Sequence, residues 1–222
     1  MWLGQRLFIE MIWYYKMTSE INTKEIAAKA RDAKAIMACL SESEKNRVLE
    51  GFKKNLLLNK IKILEANQMD LLNAEKKELS QAFVDRLKLN AERVQAMADS
   101  INEIINLPDP VGQVTSEWER PNGLKIKRVQ TPIGVIAIIY ESRPNVTVDA
   151  SALSFKSGNP CILRCGADSI NSCNEIFRSI EQSIENIGLP KSCIQFINNS
   201  DRQLIKEILS LSEYIDVVIP RG

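Results

Sequence analysis

Three arginines stand where phosphate recognition would need them. Arg143, Arg164 and Arg221 each close or follow a short apolar run, and a planar guanidinium can bond two phosphate oxygens at once. Taken singly, each is better explained as a solvated loop arginine or an ion-pair partner; three on one rim point to a phosphate site. The chain contains no histidine, which removes Ser-His and Cys-His chemistry and the commonest nitrogen metal ligand. Five cysteines occur, at 39, 161, 165, 173 and 193, without a CxxC pair or a second ligand cluster, so they read as small core residues and no metal site is expected. Cys165 follows an apolar run and is the one cysteine placed to be weighed as a nucleophile.

These residues need a scaffold that gathers the ends of separate apolar runs. Four such runs, at 134–140, 160–164, 193–197 and 215–219, alternate with stretches of helical length. Continuous apolar strands alternating with helices predict an α/β fold, a Rossmann-like parallel sheet with helices on both faces. In such a sheet ligands bind at the carboxyl ends of the strands, which singles out 141–145, 164–168 and 220–222. No GxGxxG is present, so the residues by themselves specify an anion or nucleotide crevice and nothing narrower.

Ahead of the sheet, apolar residues recur at helical spacing between Asn22 and Asn106, for example Ile26, Ala30, Ala33 and Met37. Ser41 with Glu44 has the form of a capping box, and Ser80 and Asn90 are further candidate N-caps. Pro108 and Pro110 close this helical half. The segments 114–120 and 124–130 flank Pro121, Asn122 and Gly123, and an Asn-Gly pair predicts a β-hairpin arm, which should brace against the body or a second subunit.

The 222 residues, 45% of them apolar, suffice for a sizeable core, and 29 basic against 28 acidic side chains leave no field to draw nucleic acid or an anionic membrane. The odd cysteine count suits reduced thiols and a cytoplasmic location. Residues 1–16 are apolar and aromatic but interrupted by Arg6 and Glu10, too short to span a bilayer, and read as an extension upstream of the natural start at Met17. The expected divisions are this extension, a helical part over 17–113, the hairpin over 114–131 and the Rossmann-like part over 132–222.

The stretch 131–164, TPIGVIAIIYESRPNVTVDASALSFKSGNPCILR, is similar to the signature region of the γ-glutamyl phosphate reductases, of the aldehyde dehydrogenase superfamily. EKNRVLE at 44–50, DRL at 85–87, LPDPVGQV at 107–114 and YIDVVIPRG at 214–222 extend the similarity. The resemblance implies an incomplete aldehyde dehydrogenase-like fold and the NADPH-dependent reduction of L-glutamyl 5-phosphate to the semialdehyde and phosphate, in proline biosynthesis. A homo-oligomer joined through the hairpin at 114–131 is the expectation if that arm braces against a second subunit. Residues expected at the cofactor are Ser142, Arg143, Pro144, Asn145, Arg164, Gly166, Asp168, Arg221 and Gly222. The family's nucleophilic cysteine lies beyond the PRG motif, and none of the five cysteines here matches it, so an inactive truncated relic is expected. Half of a split reductase and a non-catalytic nucleotide-binding or oligomerising module are the alternatives. Where the family has Gly-Gly-x-Glu after Arg164, this chain has Cys165, Gly166, Ala167 and Asp168, a change expected to restrict a turn needing positive φ or close cofactor approach. With no elements following it, the run at 215–219 is expected to expose apolar surface.

Overall fold

The computed structural model describes residues 22–221, so the reading of 1–16 as an extension and the placement of Gly222 lie outside it. Five helices come first: α1 (Thr23–Cys39), α2 (Glu42–Leu58), α3 (Lys60–Lys76), α4 (Gln81–Leu87) and α5 (Ala91–Asn106). Their starts follow local chemistry. Ser41 and Glu44 form the reciprocal capping box, and the side chain of Asn90 accepts from the Arg93 N–H. Ser80 occupies the N-cap position of α4 but makes no side-chain capping bond.

The hairpin pairs β1 (Val114–Glu119) with antiparallel β2 (Lys125–Val129). Gly123, at φ +82, makes the reversal, donating its N–H to the Arg120 carbonyl at 2.9 Å. Nearly every residue of both strands is exposed, so the arm does not brace against the described body.

The remainder is β3 (Ile136–Tyr140), α6 (Asn145–Lys156), β4 (Cys161–Arg164), α7 (Ile170–Glu185), β5 (Ile194–Phe196), α8 (Gln203–Ser210) and β6 (Val217–Arg221). All neighbours in the sheet are parallel, in the order β5-β4-β3-β6. Alternation decides which residue meets which layer. Ile136, Ile138, Tyr140, Cys161 and Leu163 join the core under α2, α5, α6 and α7, whereas Val135, Ala137 and Ile162 join a smaller core with Ala27 and Ala30 of α1 and Leu204 and Ile208 of α8. The strands read as unbroken apolar runs because both faces are covered.

The fourth strand departs from the expected bounds. It begins at Val217, two residues late, and carries Pro220 and Arg221 inside the strand. Asp216 explains the shift: its backbone N–H bonds to Val135 and its carboxylate accepts the Val135 N–H at 2.7 Å, which pins the chain just before pairing begins. Unlike β3 and β4, this strand is half-buried to exposed, and Ile219, Ile133 and Leu153 leave an open apolar flank beside α6.

Two buried lysines tie distant segments of the chain together. Lys45, fully buried, bonds both Asp109 oxygens at 3.0 and 2.8 Å. Lys156, at the end of α6, donates to Asn46, to the Ile105 carbonyl and to Glu42.

Candidate functional site

The carboxyl ends of β3, β4 and β6 meet on one side of the sheet, and the chain reverses its strand order between β4 and β6 around β3. In open α/β sheets ligands bind in the crevice at such a switch point, outside the carboxyl ends of the strands. Two clefts lie there, sharing Tyr140, Glu141, Ser142 and Arg221 as a common wall.

The larger cleft, about 610 Å³, adds Phe83, Arg164, Gly166, Asp168, Ser200, Arg202 and Ile205 to that wall. Arg164 ends β4 and is 6% exposed. Its Nη2 donates to the carbonyls of Ser200 at 2.6 Å and Asp201 at 3.4 Å, while its Nε is buried without a partner among the described residues. A buried N–H without an acceptor costs stability. Burial, with Cys165 and the nearby Arg202 charge contributing in opposite senses, holds the Arg164 guanidinium below its ordinary range.

The smaller cleft, about 270 Å³, is lined by Arg86, Arg143, Val146 and Arg221 around the shared wall. Ser142 is buried, and Pro144 precedes α6 at its N-cap position. Asn145 lines neither cleft. Its side-chain N–H donates to Asp149 at 3.3 Å, and Asp149 also accepts from Ser100. Burial raises the Asp149 carboxyl despite those two bonds.

The structure thus gathers Ser142, Arg143, Arg164, Gly166, Asp168 and Arg221 around one crevice, divides them between two clefts, and leaves Pro144 and Asn145 behind the rim. Asp168 lines the larger cleft with its carboxylate paired at 2.6 Å to Lys77, the C-cap residue of α3. The turn after β4 corrects one expectation. Glu78 is the one non-glycine residue at positive φ among those described, and Gly166 has φ −70, so neither Cys165 nor Gly166 needs glycine's freedom. A methyl group at Gly166 would meet the Glu141 backbone at 3.5 Å, ordinary contact distance. Cys165 fits because its side chain turns into the core, 1% exposed.

Two lining arginines were missed. Arg202 follows the third strand, β5, and the rule that named the ends of the other three strands would have found it. Arg86 comes from α4, in the helical half, where no pattern within the sheet points.

No cysteine lines either cleft. Burial pushes Cys161 up to about 12 and Cys193 up to about 11. Cys165 is pushed up further in the same direction, first by its hydrogen bond with Cys173 and then by burial. Cys39 is exposed and lines neither cleft. Among the described residues no cluster of His, Cys, Asp and Glu could hold a metal ion, and no helix is long and apolar enough to cross a membrane.

Known proteins with this sequence and fold agree with one another. The γ-glutamyl phosphate reductase of Bartonella quintana (strain Toulouse) is 48% identical over 200 residues, 90% of this chain and 48% of that protein. That of Idiomarina loihiensis is 48% identical over 204 residues, 92% of this chain and 49% of that protein. The crystal structure of the Thermotoga maritima enzyme superposes with a TM-score of 0.89 at 41% identity, covering 91% of this chain and 49% of that one. This chain is a homologue of the γ-glutamyl phosphate reductases. It spans about half the length of the curated relatives it matches. No family model matches it. A probable aldehyde dehydrogenase from Listeria monocytogenes, 16% identical with a TM-score of 0.65 over 88% of this chain, shares the fold. The reductase homology puts the signature residues in a new light. Lys156 and Asn159 of the KSGN segment line neither cleft and make structural contacts, the Asn159 side-chain Oδ1 accepting the Gly134 N–H at 2.9 Å.

Proposed function

We propose that this chain forms the nucleotide side of a γ-glutamyl phosphate reductase, with NADPH in the larger cleft. The observation that carries the reading is Arg164, which ends β4, is tethered through Nη2 to the Ser200 carbonyl and lines a cleft together with a second arginine, Arg202. The donor set fits a dinucleotide phosphate: Arg164 and Arg202 supply the charge, and Phe83, Ile139 and Ile205 supply an apolar wall for a heterocycle. NADPH, when bound, contributes the hydride of the family reaction, which converts L-glutamyl 5-phosphate to the semialdehyde and phosphate. The chain's own residues bind and orient the cofactor, and Lys77 fixes Asp168 at the cleft's edge. The exposed hairpin offers its strands to a second copy of the chain.

Titration of the chain with NADPH tests this. Arg164→Ala is expected to lose about 1.5–3 kcal/mol of binding, the scale of a charge-assisted contact. Equal affinities in wild type and variant would refute the placement.

The 222-residue polypeptide by itself is expected to show no NADPH-dependent turnover of glutamyl phosphate, because Cys165, the cysteine that follows β4, turns into the core and is held protonated. Turnover abolished by Cys165→Ser would make Cys165 a working nucleophile and end that expectation.

A further inference from the structure

Lys77 and Asp168 meet across 91 positions of sequence, and one of the two lines the larger cleft. We propose that Lys77 is a specificity-determining residue of that cleft: by taking the Asp168 carboxylate it admits a dinucleotide whose ribose carries a 2′-phosphate and disfavours the unphosphorylated one. The inference rests on the nucleotide reading and adds the residue that selects between the two cofactor classes.

The chemistry starts from where Asp168 stands. β3, α6 and β4 make a parallel β-α-β unit, and Asp168 follows its second strand. An acidic side chain at that place hydrogen-bonds the 2′-hydroxyl of an unphosphorylated ribose and repels a 2′-phosphate. Here the carboxylate is not free, because Lys77 Nζ lies 2.6 Å from its Oδ1. The ammonium offsets the negative charge and takes one of the two acceptor oxygens. With Asp168 paired, the other charged groups of the lining are Arg164, Arg202 and Arg221 against Glu141 alone, a balance that favours one more phosphate. Lys77 is not on the cleft wall, so it acts on the ligand through Asp168.

Two features of α3 hold Lys77 in place. Asp70, seven residues before it and 1% exposed, accepts the Asn171 and Ser172 N–H groups at 3.3 and 2.8 Å. Its carboxylate thereby caps the start of α7, the helix into which the Asp168 turn leads. Residues seven apart share one face of a helix, so the face that grips 171 and 172 also presents Lys77 to Asp168. The second feature is the exit from the helix. Glu78, next after Lys77, takes the left-handed conformation at φ +52, where glycine is the usual occupant. Glu78 and Leu79 donate their N–H groups to the Glu75 and Ala74 carbonyls at 2.9 and 3.1 Å, closing α3 directly behind Lys77. A glutamate kept in that conformation is held there by its surroundings, and such residues cluster where geometry serves a ligand.

The probes are adenosine 2′,5′-bisphosphate and 5′-AMP, the adenosine ends of the two cofactor classes, titrated calorimetrically into the full chain. Wild type should prefer the bisphosphate by about tenfold, the scale of one charge-assisted contact. Lys77→Met should bring the two affinities within about twofold of each other by weakening the bisphosphate, whereas Lys77→Arg, which keeps the charge, should retain the preference. Lys77→Met combined with Asp168→Asn should regain part of it, since no carboxylate then remains to repel the phosphate. A merely structural role for Lys77 would weaken both ligands alike and overturn the proposal. So would a wild type that does not discriminate, or a ratio untouched by Lys77→Met. If the ratio is untouched while Arg164→Ala abolishes binding of both probes, the nucleotide site stands and the role of Lys77 falls. If neither probe binds the wild type, this proposal and the placement of the cofactor in the larger cleft fall together.

Discussion

Asp109→Ala is expected to destabilise the protein by about 3–5 kcal/mol, a large fraction of the total stability of a domain this size. The reason lies at the other end of its hydrogen bonds. Lys45 is fully buried in α2, and both oxygens of Asp109 face its ammonium at 3.0 and 2.8 Å. Removing the carboxylate leaves a positive charge without solvent or counter-ion, far costlier than losing an exposed pair. Asp109 also accepts the Val111 N–H at 2.9 Å and so shapes the turn that leads into the hairpin. A thermal melt should show a loss of roughly 10 °C or more. The double variant Lys45→Met, Asp109→Leu separates the pair's net value from the cost of breaking it, because exchanging a buried ion pair for apolar side chains is often neutral. It should recover most of the loss. A single variant within about 1 kcal/mol of wild type would show that Lys45 finds water or another acceptor.

That pair also shows how far the sequence could be read. EKNRVLE and LPDPVGQV stand out as sequence segments, yet nothing in either says that Lys45 of one reaches Asp109 of the other across 64 positions. KSGN behaves the same way: Lys156 ties α6 to α2 and α5, and Asn159 holds the start of β3. These distinctive residues join segments that lie far apart in the chain. The layers themselves were legible, because burial on both faces writes an unbroken apolar run and helices write a period near 3.6. The capping box at Ser41 was equally local and equally visible.

What stayed hidden depends on distant partners. The late start of β6 is imposed by Asp216 bonding back to Val135, which no property of residues 215–219 announces. Asn145 reads as a rim residue by its place after β3, but Asp149, one helical turn on, takes its side chain. Arg86 illustrates the limit most clearly. It reaches the crevice from α4, and only the packing of the helical half against the sheet brings it there.

Gly134→Ala should be comparably damaging, at about 2–5 kcal/mol, and for a reason of shape. Gly134 has φ +126, a conformation that side chains rarely adopt, and a methyl group there would lie 2.0 Å from an Asp216 oxygen and 2.8 Å from the Lys34 ammonium. Backbone strain and overpacking each contribute about 1–3 kcal/mol when a site cannot yield. This one is closed in by bonds: Asp216 accepts the Val135 N–H at 2.7 Å and pairs with Lys34 at 3.1 Å, and Gly134 donates to Asn159 at 2.9 Å. The methyl group must expel Asp216 and loosen the pairing of β6 with β3. A second readout follows from the charge. Burial works against the Asp216 carboxylate, but the Val135 N–H, Lys34 and Arg31 outweigh it and hold the group below the usual carboxylate range. A carboxyl depressed in the folded state stabilises above its unfolded value and loses that contribution as pH falls through the folded one. Wild type should therefore lose this increment below about pH 4, whereas Gly134→Ala, with Asp216 displaced, should show a flatter acid limb. Urea denaturation of both proteins between neutral pH and about pH 3 measures the two effects together. A variant as stable as wild type, with the same acid slope, would mean that Asp216 can move aside freely and does not set where β6 begins.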